Sequence, residues 1–140
     1  MSHAIFWPVI AQVALTAVVW CLMYVRRIGE IHRRRIDTQT LATADAASEV
    51  LENVSAADNF RNLLETPVLF YAVCACLAIT EQVLDVQVVL AWAYVGLRAL
   101  HSLIHVTYNR VIHRFLAYVA STLCVFAMWT IFAGSLYLHG

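Results

Sequence analysis

Lysine is absent from this 140-residue chain, and all nine of its basic side chains are arginine. Charge of either sign is scarce, at 13% of residues against about 25% in an ordinary soluble domain, while 62% of residues are hydrophobic. That balance excludes a water-soluble fold of this size. The four cysteines, Cys21, Cys74, Cys76 and Cys124, include no CxxC spacing, which argues against a zinc or disulfide framework and leaves them as small packing residues. No HExxH occurs. The first eight residues hold no arginine, and positive charge follows the first apolar run instead of preceding it, so a cleavable signal peptide fits poorly and the first apolar segment is expected to stay. The lack of lysine beside abundant alanine and arginine points to compositional bias in the source genome.

What the chain has is length of apolar sequence. Stretches at 4–25, 60–80, 86–106 and 115–138 each approach or exceed the roughly 20 residues that cross a bilayer as helix. Strands of a transmembrane barrel would be about ten residues long with alternating polarity, and these runs are twice that. The reading is all-α: an integral membrane four-helix bundle, one domain over residues 1–140. Arginines gather after the first span (26, 27, 33, 34 and 35) and after the third (110 and 114), whereas the link at 81–85 carries only Glu81 and Asp85. By the positive-inside rule the first and third connections are cytoplasmic and both termini non-cytoplasmic.

Short links at 81–85 and 107–114 make spans two and three, and spans three and four, antiparallel neighbours. The long connection at 26–58 permits a helix over 41–57 that extends the second span, with residues 33–35 as a solvated patch facing lipid headgroups. Pro67 lies inside the second span, where a missing N–H frees a carbonyl that must find a partner, and this supports a polar cavity beside Asn62 and Glu65.

The middle two spans carry charge where charge is expensive: Arg61, Asn62 and Glu65 in one, and Arg98, His101 and His105 in the other. An Arg or Asp at the centre of a spanning helix costs about 2.5 to 3.5 kcal/mol on the lenient scale, so such groups face a bundle interior or a wet cavity. At 100° per residue Arg98, His101, Ser102, His105 and Asn109 fall on one stripe, with Tyr94 and Tyr108 at its margin. Asp58, Arg61, Asn62 and Glu65 share a face of the preceding span, and Glu65 is the expected ion-pair partner of Arg98. A buried pair that only fixes helix register is the simplest alternative, but it needs two residues and at least seven converge here. His101 and His105 stand four apart, as paired metal ligands do. No further ligand lies on that face, so no metal site is expected and hydrogen-bonded histidines in a polar pocket are favoured. Arg114 and Tyr118, four apart at the start of the fourth span, are either an interfacial anchor or a guanidinium and a phenol reaching into the cleft to stabilise an anion or thiolate.

Four spans of this length, with Arg61-Asn62-x-x-Glu65 ahead of a proline, Arg98-x-x-His101, and Arg114-x-x-x-Tyr118, resemble the MAPEG family, the membrane-associated proteins of eicosanoid and glutathione metabolism. The resemblance runs over nearly the whole chain, and the run from His101 to Arg110 looks most like the bacterial members. It implies a homotrimer of four-helix subunits with glutathione in an intersubunit cleft open to the cytosol. By the family's motif, Arg61, Asn62 and Glu65 would hold the tripeptide's charged ends with Arg98 and His101 beneath, His105 and Tyr108 would rim the cleft, and Arg114 with Tyr118 would face the sulfur as the catalytic pair. Two positions depart from the eicosanoid branch. His105 stands where that branch has a tyrosine, and Asp58 stands where it commonly has an arginine.

The resemblance therefore implies a glutathione-dependent transferase or peroxidase acting on hydrophobic small molecules delivered by membrane lipid. The expected site is a bacterial inner membrane, and nucleic acid is not an expected partner. The alternative is a non-catalytic trimer of the same fold that binds a lipid or a partner protein.

Overall fold

The computed structural model describes residues 3–51 and 55–139. Four helices in it are long and apolar enough to cross a membrane: His3–Arg34, Ala57–Ile79, Asp85–Val106 and Val111–Leu138. Within these, α1 is Phe6–Arg34, and a short α2 at Ala44–Val50 follows a 3-10 turn. The second span is two helices, α3 Ser55–Glu65 and α4 Pro67–Ile79, and α5 Asp85–Val106 and α6 Val111–His139 complete the chain.

Each helix buries a stripe set by its sequence. On α1 the buried residues are Pro8, Gln12, Val19, Met23 and Glu30, and on α5 Gln87, Ala91, Tyr94, Arg98, His101 and His105 recur at alternating steps of four and three. That spacing keeps one seam of a helix against its neighbours. The outward faces are greasy: Val25, Ile79, Val89, Val111 and Leu123 are all more than 60% exposed. In water such a surface would aggregate, whereas against acyl chains it costs nothing.

α1 runs 29 residues, about 43 Å, well past the roughly 30 Å hydrocarbon core. It stops where Arg35 turns left-handed (φ 53°), with His32, Arg33 and Arg34 in the last turn to complement the helix dipole. The expected helix over 41–57 is not continuous. Thr43 caps α2 by accepting from the Ala46 amide, α2 ends at Val50, and α3 begins anew at Ser55, with residues 52–54 outside the described part.

Cross-helix pairs run up, down, up, down: Asn62 meets Arg98, Phe70 meets Tyr94, His101 meets Arg114 and Gln87 meets Met128. α5 packs most extensively on α6, and the upper half of span two, α4, leans on α6 through Trp129 Nε1 donating to the Leu69 carbonyl at 3.2 Å. Contact between spans two and three is concentrated lower, where α3 meets α5. Arg26 donates to the Val106 carbonyl at 3.3 Å, so the two Arg-bearing connections lie at the same end of the bundle.

The interior divides into halves. Away from the arginine end, Phe70 and Tyr94 stack with centroids 4.4 Å apart inside a cluster of Ile5, Val73, Leu77, Ala91, Val125, Met128 and Phe132. Toward the arginine end the interior is polar.

Candidate functional site

Pro67 sets up the polar half. Lacking an N–H, it interrupts the helix at Thr66. One turn earlier the Asn62 carbonyl accepts from Thr66 Oγ1 at 3.2 Å and from Arg98 Nη2 at 2.7 Å. Of the two residues expected beside a polar cavity here, Asn62 reaches across to α5 through its backbone carbonyl while Glu65 is exposed, and the carbonyl that Pro67 frees is that of Leu63.

Arg98 is 0% exposed, and its Cζ sits 5.7 Å from the centre of the Tyr118 ring, a cation–π contact that offsets part of its desolvation. Its Nε and Nη1 have no partner among the described residues. The expected Glu65–Arg98 ion pair is not formed. Glu65 is exposed, together with Asp58 and Arg61 on the outer face of α3, while Asn59, Leu63 and Phe70 point inward. Rotation about the helix axis explains this: the inward stripe passes through Asn59, Asn62 and Thr66, and Glu65 falls on the other side of it.

Asn59 is also fully buried, and its Oδ1 accepts from Ser102 Oγ at 3.1 Å, while Nδ2 has no partner among the described residues. His101 Nδ1 lies 3.0 Å from the Arg114 carbonyl. A carbonyl oxygen only accepts, so Nδ1 carries a proton; in the neutral ring Nε2 then keeps a lone pair, which is buried and has no partner among the described residues. His105 stands 5.8 Å from His101, ring centre to ring centre, with neither ring nitrogen partnered among the described residues. These buried polar groups gather on the facing sides of α3 and α5, toward the arginine end of the bundle.

Beside this cluster is a groove of about 250 Å³ lined by Asn62, His101, Val111, Arg114, Phe115 and Tyr118. It lies within the first two turns of α6. The arrangement joins one exposed-edge guanidinium, one phenol, one amide and one imidazole, backed by the buried charge of Arg98, and it suits an anion or a polarisable group that develops negative charge.

Of the residues expected at the site, Asn62, Arg98, His101, Arg114 and Tyr118 come together, and His105 adjoins them. Arg61 and Glu65 are exposed and face away from the groove. Tyr108 does not rim this groove. Its hydroxyl pairs with His113 Nδ1 at 3.1 Å, and both line a separate, mostly apolar groove of about 440 Å³ with Leu97, Leu100, Leu116 and Ala120. Helical projection fails for Tyr108 because α5 ends at Val106 and the chain turns through Asn109 in a left-handed conformation (φ 49°). Sequence reasoning missed Asn59, and it missed Gln12 and Gln87, both almost wholly buried. The signal was there: Gln12 sits on the buried stripe of α1, Gln87 on that of α5, and Asn59 three residues before Asn62.

Comparison with curated proteins finds no match, and comparison with solved structures finds none either. Residues 5–134 match the sequence profile described as the MAPEG family. With that match covering almost all of a chain that carries four membrane-spanning-capable helices, the protein belongs to the MAPEG family.

Proposed function

We propose that this MAPEG protein is a glutathione-dependent membrane transferase or peroxidase whose groove at Arg114 and Tyr118 receives the tripeptide's sulfur. The observation that carries the reading is the convergence of Asn62, His101, Arg114 and Tyr118 on one groove, with the buried guanidinium of Arg98 against Tyr118 behind it. A free thiol titrates near pKa 8.5 and is mostly protonated at neutral pH. Lowering that by one to two units takes about 1.4 to 2.7 kcal/mol of preference for the thiolate, within reach of one guanidinium and a hydroxyl in a partly dry groove. The thiol proton leaves to water. The thiolate then forms a C–S bond to a hydrophobic electrophile arriving through the bilayer as the electrophile's leaving group departs with the bonding pair, or it takes the terminal oxygen of a hydroperoxide, breaking the O–O bond to release an alcohol once protonated, after which a second glutathione converts the sulfenic acid to the disulfide and water.

The outward charges of α3 support a homotrimer. Arg61 and Glu65 are exposed on a helix that the bilayer would otherwise surround, and a neighbouring copy would shield them and close the groove. Arg61, Asn62 and Glu65 would then hold the ends of glutathione across the subunit boundary. In this arrangement the arginine-bearing end faces the cytosol, both termini face away, and the membrane is the inner membrane of a bacterium.

A second reading, a non-catalytic trimer binding a lipid or a partner protein, is favoured by two residues: Asp58, acidic where the eicosanoid branch is commonly basic, and His105, buried with both nitrogens unpartnered. Calorimetry with glutathione on the purified protein separates the two. Saturable heat that persists with S-methylglutathione supports the glutathione site, and no heat from either ligand moves the assignment to the scaffold.

A further inference from the structure

Arg114 is held from two directions, once through its backbone and once through its side chain. Its carbonyl accepts the Nδ1 proton of His101 at 3.0 Å, and its Nη1 donates to Oδ1 of Asn109 at 2.6 Å. One contact fixes the first turn of α6 against α5. The other fixes the direction of the guanidinium.

Asn109 is itself placed with little freedom. Its amide donates to the Ile104 carbonyl at 2.8 Å, closing the end of α5, and its φ of 49° lies in the left-handed region. Few residues other than glycine adopt that conformation readily, and asparagine is the foremost of them. Glycine would make the turn but has no side chain to reach Arg114. Aspartate would make both the turn and the bond, yet its carboxylate would cancel the charge it holds. The amide oxygen is a neutral acceptor, which orients the guanidinium and leaves its charge, with Nε and Nη2, available to the groove.

We propose that Asn109 is the positioning residue of this site: its neutral tether aims Arg114 at the group in the groove without drawing off the charge that stabilises an anion there. The identity of that group as a thiolate rests on the glutathione reading above, but the tether does not. The amide differs from a merely structural turn residue in a measurable way, because the turn and the tether are separable.

Asn109→Gly keeps the left-handed turn and deletes the tether, while Asn109→Asp keeps both and cancels the charge. In the ligand-free protein, 15N relaxation of the Arg114 guanidinium is expected to report greater mobility in Asn109→Gly and wild-type order in Asn109→Asp. With glutathione, thiolate absorbance against pH is expected to move upward in both variants, further in Asn109→Asp. Turnover is expected to fall about tenfold or more in Asn109→Gly, with little change in the half-saturating glutathione concentration. A purely structural role would leave Asn109→Gly indistinguishable from wild type, and unchanged Arg114 mobility in that variant overturns the proposal. If wild-type protein binds no glutathione, the functional reading fails by itself and the relaxation measurement alone decides the tether.

Discussion

Arg98 and Asn62 meet side chain to backbone, Nη2 on the carbonyl oxygen at 2.7 Å, so a fully buried cation is held by a peptide group rather than by a carboxylate. Among the described residues, the charge of Arg98 has no acidic partner. A buried cation in that position costs stability and persists where function needs it. Arg98→Met is expected to keep or raise the unfolding midpoint in detergent, by a stability of order 1 kcal/mol, while ligand affinity falls. A midpoint lowered as much as by a core cavity would show that Arg98 holds the fold together.

Glu65 lies away from Arg98, exposed on the outer face of α3. Because it lies on the outer face of α3 with Arg61, Glu65→Leu is expected to leave helix content intact and weaken assembly. In the proposed homotrimer, a cation of the neighbouring copy that paired with Glu65 would be stranded by this change, at a cost of about 3 to 5 kcal/mol. Mass measurement in mild detergent reads this directly. A wild-type protein that is a stable monomer, with Glu65 against lipid, would count decisively against the trimer.

Arg61→Ala and Arg114→Ala should separate binding from chemistry. The first is expected to raise the half-saturating glutathione concentration with a smaller effect on turnover. The second should retain much of the binding, shift the thiolate titration upward, and lower turnover about 10- to 1,000-fold. Identical titrations for wild type and Arg114→Ala would remove that guanidinium from the mechanism.

In the apolar half, Phe70→Ala should lower stability by about 3 to 5 kcal/mol, since it removes a 0%-exposed ring stacked on Tyr94 and leaves a cavity between α4 and α5. Reversible unfolding in mixed detergent measures it. A loss under 1 kcal/mol would mean that the neighbouring side chains collapse into the space.

Orientation is testable with single engineered cysteines in a variant lacking the native four. Asp85→Cys is expected to react with an impermeant reagent outside intact cells, and Arg33→Cys only after lysis. The reverse pattern would invert the bundle.

The four spans and the polar stripe from Arg98 to His105 were legible because run length and the four-and-three spacing are properties of the chain itself. The partner of Arg98 was not. Residues 61, 62 and 65 lie within one broad sector of a helical wheel, and which edge of that sector turns inward depends on how α3 rolls against α1 and α5. Tyr108 escaped for another reason, since periodicity ceases to place side chains once α5 unwinds at Thr107. The tether from Asn109 to Arg114 was equally out of reach, because it depends on the turn conformation and not on spacing along a helix.

The division of the interior into two halves has an electrical consequence. The stacked Phe70 and Tyr94, with Met128 and Phe132, put an apolar layer between the groove and the far end of the bundle. A transmembrane voltage drops chiefly across such insulation, at about 2.3 kcal/mol per elementary charge for each 100 mV traversed in full. An anion entering the groove from the arginine end crosses only a small part of that drop, so its affinity should barely respond when the membrane is energised.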